Sequence, residues 1–362
     1  MTKFQKLSKL FIVGVKDFRW SRELETFLKE FKVDGLALFN SPFDSPDNIW
    51  SDRETSLEAL YDFVKRASQY VRFLSVDQEG GRVRRLRGAF LPLPAAQILA
   101  EKCGDDPSKL AALKKIYQLA ARQMSSSGIH LNFAPNCDRW TPQSSNVIGD
   151  RSYGDSIEKV CQFAEVFLSA FSEAGVATTI KHFPGHGPTE MDSHESVAVV
   201  FKNEKELLAE DTIIFERLAK KTSAIMTAHI ALPDYPDRIF SLDRELFTKF
   251  KRRISQPVAW ITDDLLSMKA VSEIQPWIQA LELPYDFLLL CGDLDPSVQA
   301  IESCIRKAES QTRTFSDEQQ LDKRIERSQN FFNTAISLAP LPQWKRQILE
   351  LEQEGLAELE SL

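Results

Sequence analysis

The feature that most constrains this chain is a repeated unit: a short, β-rich apolar run followed by a longer helical pattern. Eight such runs can be read, at Leu10–Val13, Gly35–Phe39, Arg72–Val76, His130–Ala134, Thr178–Lys181, Ala224–Thr227, Val258–Thr262 and Phe287–Leu290. Several are apolar almost throughout, as parallel strands covered on both faces should be. Between them apolar residues recur at helical spacing, with Leu24, Phe27 and Leu28 in Ser21–Phe31 and Leu57, Leu60, Tyr61 and Val64 in Ser56–Tyr70. Lys109–Gln123, Ser156–Glu173, Lys205–Leu218, Leu242–Phe250 and Asp293–Ile305 continue the pattern. Eight strand–helix units predict an α/β fold, a (β/α)8 TIM-type barrel. An open, doubly wound sheet is the structural alternative, because local patterns do not reveal closure.

From residue 315 the pattern is helical and polar, through Ser328–Ile336 and again Trp344–Leu359, with Pro340 and Pro342 between them. No second run of alternating strands follows. The expectation is therefore a catalytic barrel over 1–314, with residues 315–362 as additional C-terminal helices packing on it in the same domain. The 362 residues are 43% hydrophobic and 27% charged, an ordinary globular balance. The net charge of −7 argues against a nucleic-acid partner. No apolar run approaches the ~20 residues that span a bilayer, so no membrane partner is expected. Leu10–Val13 is short for a signal-peptide core and meets Lys16, Asp17 and Arg19 at once, so it reads as a buried strand. A cytoplasmic monomer is the expectation. The five cysteines are odd in number and carry no metal or redox spacing, which fits buried, reduced thiols.

If the barrel reading holds, functional residues should gather after the strands. Polar clusters fall there. Asp77-Gln78-Glu79-Gly80-Gly81-Arg82 follows the third run, Pro135-Asn136-Cys137-Asp138 the fourth, Ala228-His229 the sixth and Asp263-Asp264 the seventh. After the fifth comes Lys181-His182-Phe183-Pro184-Gly185-His186-Gly187-Pro188-Thr189-Glu190-Met191-Asp192-Ser193-His194, with three of the chain's five histidines. Its prolines and glycines make it a loop. Asp192 is spaced to orient His194, the pattern of a tuned general acid/base. Asp263 at a strand end could serve as a nucleophile. Asp77, Arg82, Arg85, Arg151, Lys181 and His182 could hold a polyhydroxylated or charged substrate. Together these suit glycosyl transfer to water through a covalent intermediate. The histidines lack the His-x-x-x-His spacing of a helical zinc site, and Gly80-Gly81 lacks a nucleotide-binding glycine pattern, so neither metal nor cofactor is expected.

The motifs Val76-Asp77-Gln78-Glu79-Gly80-Gly81-Arg82-Val83, Asn132-Phe133-Ala134-Pro135, Val147-Ile148-Gly149-Asp150-Arg151-Ser152-Tyr153-Gly154, Met226-Thr227-Ala228-His229 and Ile261-Thr262-Asp263-Asp264-Leu265 stand in order with the histidine-rich loop. In this the chain resembles glycoside hydrolase family 3, in its single-domain β-N-acetylglucosaminidase type, from about Phe11 to Cys291. The resemblance implies Asp263 as nucleophile, His194 as acid/base and Asp192 as its partner carboxylate. It implies Asp77, Arg85, Arg151, Lys181 and His182 as sugar contacts. It further implies a retaining, exo-acting hydrolase that takes a small carbohydrate, terminal N-acetylglucosamine on muropeptide fragments, in cell-wall recycling. Asp264 is expected to support the site, His130 to be structural, and His186 and His229 to be either.

The chain departs from the family pattern beside Asp263. An extra leucine lies in Leu265-Leu266-Ser267-Met268, the segment up to the eighth run is short, and Leu283-Pro284-Tyr285 replaces a small glycine-containing turn. These changes bear on the leaving-group side of a pocket. Two alternatives keep the fold: a glycoside phosphorylase, since a neutral histidine does not repel phosphate, and a non-catalytic sugar-binding barrel.

Overall fold

A computed structural model describes residues 3–16, 18–39, 53–141, 147–186, 198–266, 275–310, 318–331 and 338–362. Eight parallel strands run in it: β1 (Phe11–Val15), β2 (Gly35–Leu38), β3 (Phe73–Val76), β4 (Leu131–Asn132), β5 (Ala177–Phe183), β6 (Ala224–Thr227), β7 (Ala259–Thr262) and β8 (Leu288–Leu290). All eight coincide with the apolar runs read from the sequence. Their order is β7-β6-β5-β4-β3-β2-β1-β8. The ring closes between β7 and β8, where Ile261 bridges Phe287. Side chains help where that ladder is short: the Thr262 hydroxyl accepts from Leu289 N at 3.0 Å. The open-sheet alternative is thereby excluded.

Two apolar layers follow from the alternation of side chains along each strand. Inward-facing Ile12, Ala37, Phe73, Leu131, Phe133, Ala224, Met226, Ala259, Ile261, Phe287 and Leu289 fill the barrel. Outward-facing residues such as Val13, Leu36, Leu74 and Ile180 meet the helices. The filling is tight. Gly35 faces the Phe73 ring, and a Cβ there would lie 2.4 Å from it. Phe73 in turn meets Phe287 edge-on at 5.4 Å.

The outer ring contains α1 (Arg22–Phe31), α2 (Arg53–Ala67), α3 (Pro107–Ser126), α4 (Ile157–Glu173), α5 (Asp211–Leu218), α6 (Arg244–Lys251), α7 (Pro276–Leu281) and α8 (Leu294–Ser310). Local chemistry fixes several starts. Ser21 Oγ accepts from Leu24 N, Ser156 Oγ from Lys159 N, and Asp106 caps α3 just before Pro107. One expected helix differs. Lys205–Leu218 is two helices, Glu204–Ala209 and α5, broken at Glu210. The break turns the Glu210 and Asp211 carboxylates toward Arg139 and Lys202.

After the barrel come α9 (Glu318–Phe331) and α10 (Leu341–Ser361). The expected helix through Ile336 is described only to Phe331. Trp344 of α10 is fully buried, and its indole N–H donates to Ser126 O at 2.8 Å. From α9, Arg324 and Arg327 reach the foot of β8, at Tyr285 O and the buried Asp286 carboxylate. No helix among the described residues is long and apolar enough to cross a membrane. All five cysteines are free thiols and buried.

Candidate active site

The strand ends converge on one cleft of about 320 Å³, at the small end for ligand sites. Asp77, Arg85, Arg151, Lys181, His182 and Asp263 all line it. Arg82 lines it too, so the structure brings together seven of the nine residues singled out from the sequence. The other two, Asp192 and His194, lie outside the described residues. Phe39, Met226, Leu289 and Cys291 give the cleft an apolar side.

The β3–β5 side is a lattice of paired charges. Lys181 is buried, yet its ammonium lies 2.7 Å from both Asp77 Oδ1 and Glu79 Oε1. Arg151 grips Glu79 with two parallel bonds, Nη2 to Oε1 at 2.8 Å and Nε to Oε2 at 2.9 Å. Burial alone would push the Glu79 carboxyl up, but Arg151 and Lys181 hold it well below the carboxylate range. Burial would likewise lower the Lys181 ammonium, and Asp77 and Glu79 reverse the sign. Arg85 lies over the Phe39 ring, 5.3 Å from its centre, with Asp77 Oδ2 at 3.8 Å. Asp77 is held by its neighbour. Gln78 exchanges 3.0 Å hydrogen bonds with Asn132 on β4, and its side chain bonds the backbone of Arg85 and Leu86.

A second buried carboxylate organises the histidines. Asp138 accepts from the His182 ring at 2.6 Å, from His182 N at 3.3 Å and from His186 N at 2.7 Å. The β5 pairing is irregular between Ile180 and Phe183, where Lys181 and His182 both turn into the cleft. His186 lines the cleft too, and burial pushes its imidazole down to about 4, so it is neutral at neutral pH.

The β6–β8 side is built differently. Asp263 stands just past β7, its N–H donating to Thr227 O at 3.2 Å and its Oδ1 accepting from Asp264 N at 2.8 Å. Burial would raise its carboxyl, but His182, His229, the Asp264 N–H and Lys181 together hold it below the usual range. Asp264 is tied down, with Oδ1 accepting from Leu266 N and from Cys291 N at the end of β8. His229 is fully buried and its ring is bonded to Ser241 Oγ; burial lowers its pKa. The Tyr285 hydroxyl donates to Ser241 O at 2.8 Å and meets Thr227 Oγ1 at 3.0 Å. Among the described residues no three His, Cys, Asp or Glu side chains form a group that could hold a metal ion.

Glu79 and Asp138 are the residues that sequence reasoning missed. Each stood in a cluster read as polar, without a role. A signal was present: Glu79 lies two residues from Asp77 on an extended segment, which puts both on one face, and Asp138 follows β4 much as Asp77 follows β3.

The closed barrel thus gathers a carboxylate of depressed pKa, paired cations and buried histidines at its strand ends. The model of the glycosyl hydrolase family 3 N terminal domain matches residues 3–329. A β-hexosaminidase of Actinobacillus succinogenes is 31% identical over 334 residues, covering 90% of this chain and 92% of that one. A β-hexosaminidase of Actinobacillus pleuropneumoniae is 29% identical over 299 residues, 81% and 84% of the two chains. The chain belongs to glycosyl hydrolase family 3, and is thus a glycoside hydrolase. Its fold superposes on a β-N-acetylhexosaminidase of Beutenbergia cavernae with a TM-score of 0.78 at 20% identity, over 92% of this chain and 99% of that one. A family 3 β-N-acetylglucosaminidase of a Paenibacillus gives 0.78 at 24% identity, over 98% and 69%.

Proposed function

We propose that this enzyme is a retaining exo-β-N-acetylglucosaminidase. Its substrate is the non-reducing terminal N-acetylglucosamine of peptidoglycan-derived fragments, and its setting is cell-wall recycling in the cytoplasm. The curated relatives named β-hexosaminidase support the sugar class. One observation carries the chemistry: Asp263 is kept ionised, in the same cleft as the charge-paired Asp77, Lys181 and Arg151. In the first step the Asp263 carboxylate attacks the anomeric carbon while His194, backed by Asp192, protonates the departing oxygen. In the second, His194 takes a proton from water as that water displaces the glycosyl group from Asp263. Asp77, Arg85, Arg151, Lys181 and His182 bind the sugar hydroxyls. The assignment of His194 and Asp192 rests on the loop motif.

Replacing Asp263 by Ala removes the nucleophile. Release of p-nitrophenol from the aryl β-N-acetylglucosaminide should fall by ~10³-fold or more, on the scale of losing a group that acts only in the transition state. Near wild-type turnover by this variant would sink the assignment. Running the wild type with and without phosphate adds a second check, since accumulation of sugar 1-phosphate would make it a phosphorylase.

A further inference from the structure

The cleft has one wall that no barrel strand supplies. Val147, Ile148 and Arg151 line it, and the short 3-10 turn Gly149–Arg151 orders them. The far end of this wall is tied to the segment after β4. Ser152 Oγ donates to Asp138 O at 2.7 Å, and Trp140 N donates to Gly154 O at 3.0 Å. The near end is tied to the segment after β3. Arg82 Nη2 donates to Val147 O at 2.8 Å and to Ile148 O at 3.1 Å, and Arg82 Nε donates to Asp150 Oδ1 at 2.9 Å. Arg82 has a firm base for this reach. Gln78–Gly80 pairs antiparallel with Val83–Arg84, and Gly81 and Arg82 make the turn between them. Gly81, at φ +53, packs so close that a Cβ would lie 2.9 Å from Ala95 Cα.

The Val147 carbonyl joins two arginines. Besides Arg82 Nη2, it accepts from Arg151 Nη1 at 3.1 Å. A carbonyl oxygen has two lone pairs and can serve both guanidinium groups at once. Arg151 meanwhile grips Glu79 through Nε and Nη2. Its guanidinium is thus held from one side by Glu79 and from the other by a carbonyl whose place Arg82 sets. Exposure decides which Arg82 contacts matter. The pair with Asp150 is 47% and 42% exposed at its two ends, and such pairs fix little. The bonds to the two backbone carbonyls therefore carry the hold.

We propose that Arg82 is a positioning residue, which fixes the wall at residues 147–151 and, through the shared Val147 carbonyl, the placement of Arg151 in the cleft. The claim rests on the reading of Arg151 as a sugar contact. Its signature is a loss in binding rather than in turnover. A sugar contact made in the ground state and the transition state alike raises KM when it slackens and leaves kcat nearly unchanged. A residue that merely stabilised the fold would lower the unfolding temperature and leave the KM of the folded enzyme where it was.

The experiment uses the full chain and steady-state kinetics on an aryl β-N-acetylglucosaminide. Arg82→Met should raise KM about tenfold, the scale of one weakened charge-assisted hydrogen bond, with kcat within about threefold of wild type. Arg82→Lys keeps a cationic donor without the planar fork and should recover part of the loss. Asp150→Asn should cost about twofold or less. In an Arg151→Met background Arg82→Met should cost nothing further, because the two act through one guanidinium. Arg82→Gln repeats the test where Arg82→Met does not fold. Additivity with Arg151→Met would mean that Arg82 meets the sugar by itself, and overturns the proposal. So does a loss in Asp150→Asn equal to that in Arg82→Met. If Arg151→Met itself leaves KM unchanged, the sugar-contact reading of Arg151 falls and the positioning claim with it. If Arg151→Met raises KM and Arg82→Met does not, the positioning claim alone falls.

Discussion

The two sides of the cleft handle charge in opposite ways. On the β3–β5 side every buried cation has a carboxylate: Lys181 has Asp77 and Glu79, and Arg151 has Glu79. On the β6–β8 side the buried polar chain Thr227, Tyr285, Ser241 and His229 is uncharged and lies beside two carboxylates, Asp264, which is tied to backbone N–H groups, and Asp263. The first arrangement fixes donors and acceptors in place without leaving a net charge to be neutralised by the substrate. That suits a neutral sugar, whose hydroxyls need oriented partners rather than a counter-ion. The second leaves the Asp263 carboxylate without a salt bridge among the described residues and therefore available to react. Its ionisation comes from several weaker influences, with His182 the largest. Rigidity resides on one side and reactivity on the other.

The charge lattice is the place to break this contrast most severely. Glu79→Gln keeps the shape but takes from Arg151 its bidentate carboxylate and leaves Lys181 paired with Asp77. Removing one partner of a buried ion pair costs about 3–5 kcal/mol. Displacing the proposed sugar contacts should lower kcat/KM by about 10²-fold, the loss expected for misplacement near 1 Å. The stability difference has a pH signature. The Glu79 carboxyl is depressed in the folded state, so its contribution is complete above the unfolded value near ~4.3 and is lost as the pH falls below that. Chemical denaturation of wild type and variant should therefore show a gap at neutral pH that narrows on acidification. A gap constant with pH would show that the lattice does not hold Glu79 ionised.

This lattice also marks the limit of what the sequence made legible. All eight strands were readable, because buried parallel strands are short continuous apolar runs and each was bounded by turn residues. The strand-end residues Asp77, Lys181, His182 and Asp263 were readable for a related reason: barrel topology says where polar clusters matter. Glu79 and Asp138 were not, because a carboxylate that works through its neighbours looks like any other until the neighbours are in place. The break at Glu210 was hidden too. The apolar spacing of residues 205–218 continues through it, and the ion pairs of Glu210 and Asp211 with Arg139, distant in sequence, are not written in that spacing. Closure of the ring depends on Ile261 meeting Phe287, a contact that no local pattern encodes.

A pH profile sharpens the other half of the comparison. If Asp263 owes its ionisation chiefly to His182, then His182→Gln removes the largest stabiliser of the charged form. His229 and Lys181 remain as lesser ones. The Asp263 pKa must then rise. The carboxylate is lost earlier on acidification, so the acid limb of kcat/KM moves to higher pH. The profile of kcat/KM against pH for an aryl β-N-acetylglucosaminide measures this directly. If His182 binds the sugar as proposed, binding suffers as well, but a binding defect scales the whole profile without moving its limb. An unmoved acid limb would assign the ionisation to the remaining groups.

The smallest effect is expected on the uncharged chain behind the proposed nucleophile, Asp263. Ser241→Ala removes the hydroxyl that bonds the His229 ring and leaves Tyr285 its bond to the Ser241 carbonyl. The loss is one neutral hydrogen bond, about 1 kcal/mol of stability. His229 stays neutral and buried, so the field at Asp263 changes little. A fall in kcat of about threefold, with KM unchanged, is the expected result; it corresponds to well under the ~1.4 kcal/mol of a tenfold change. Thermal unfolding and steady-state kinetics on the variant, beside Glu79→Gln, rank the two sides. Were Ser241→Ala the more damaging of the two, the uncharged chain would be what holds Asp263 in place, and the division into a rigid charged side and a reactive uncharged side would have to be reversed.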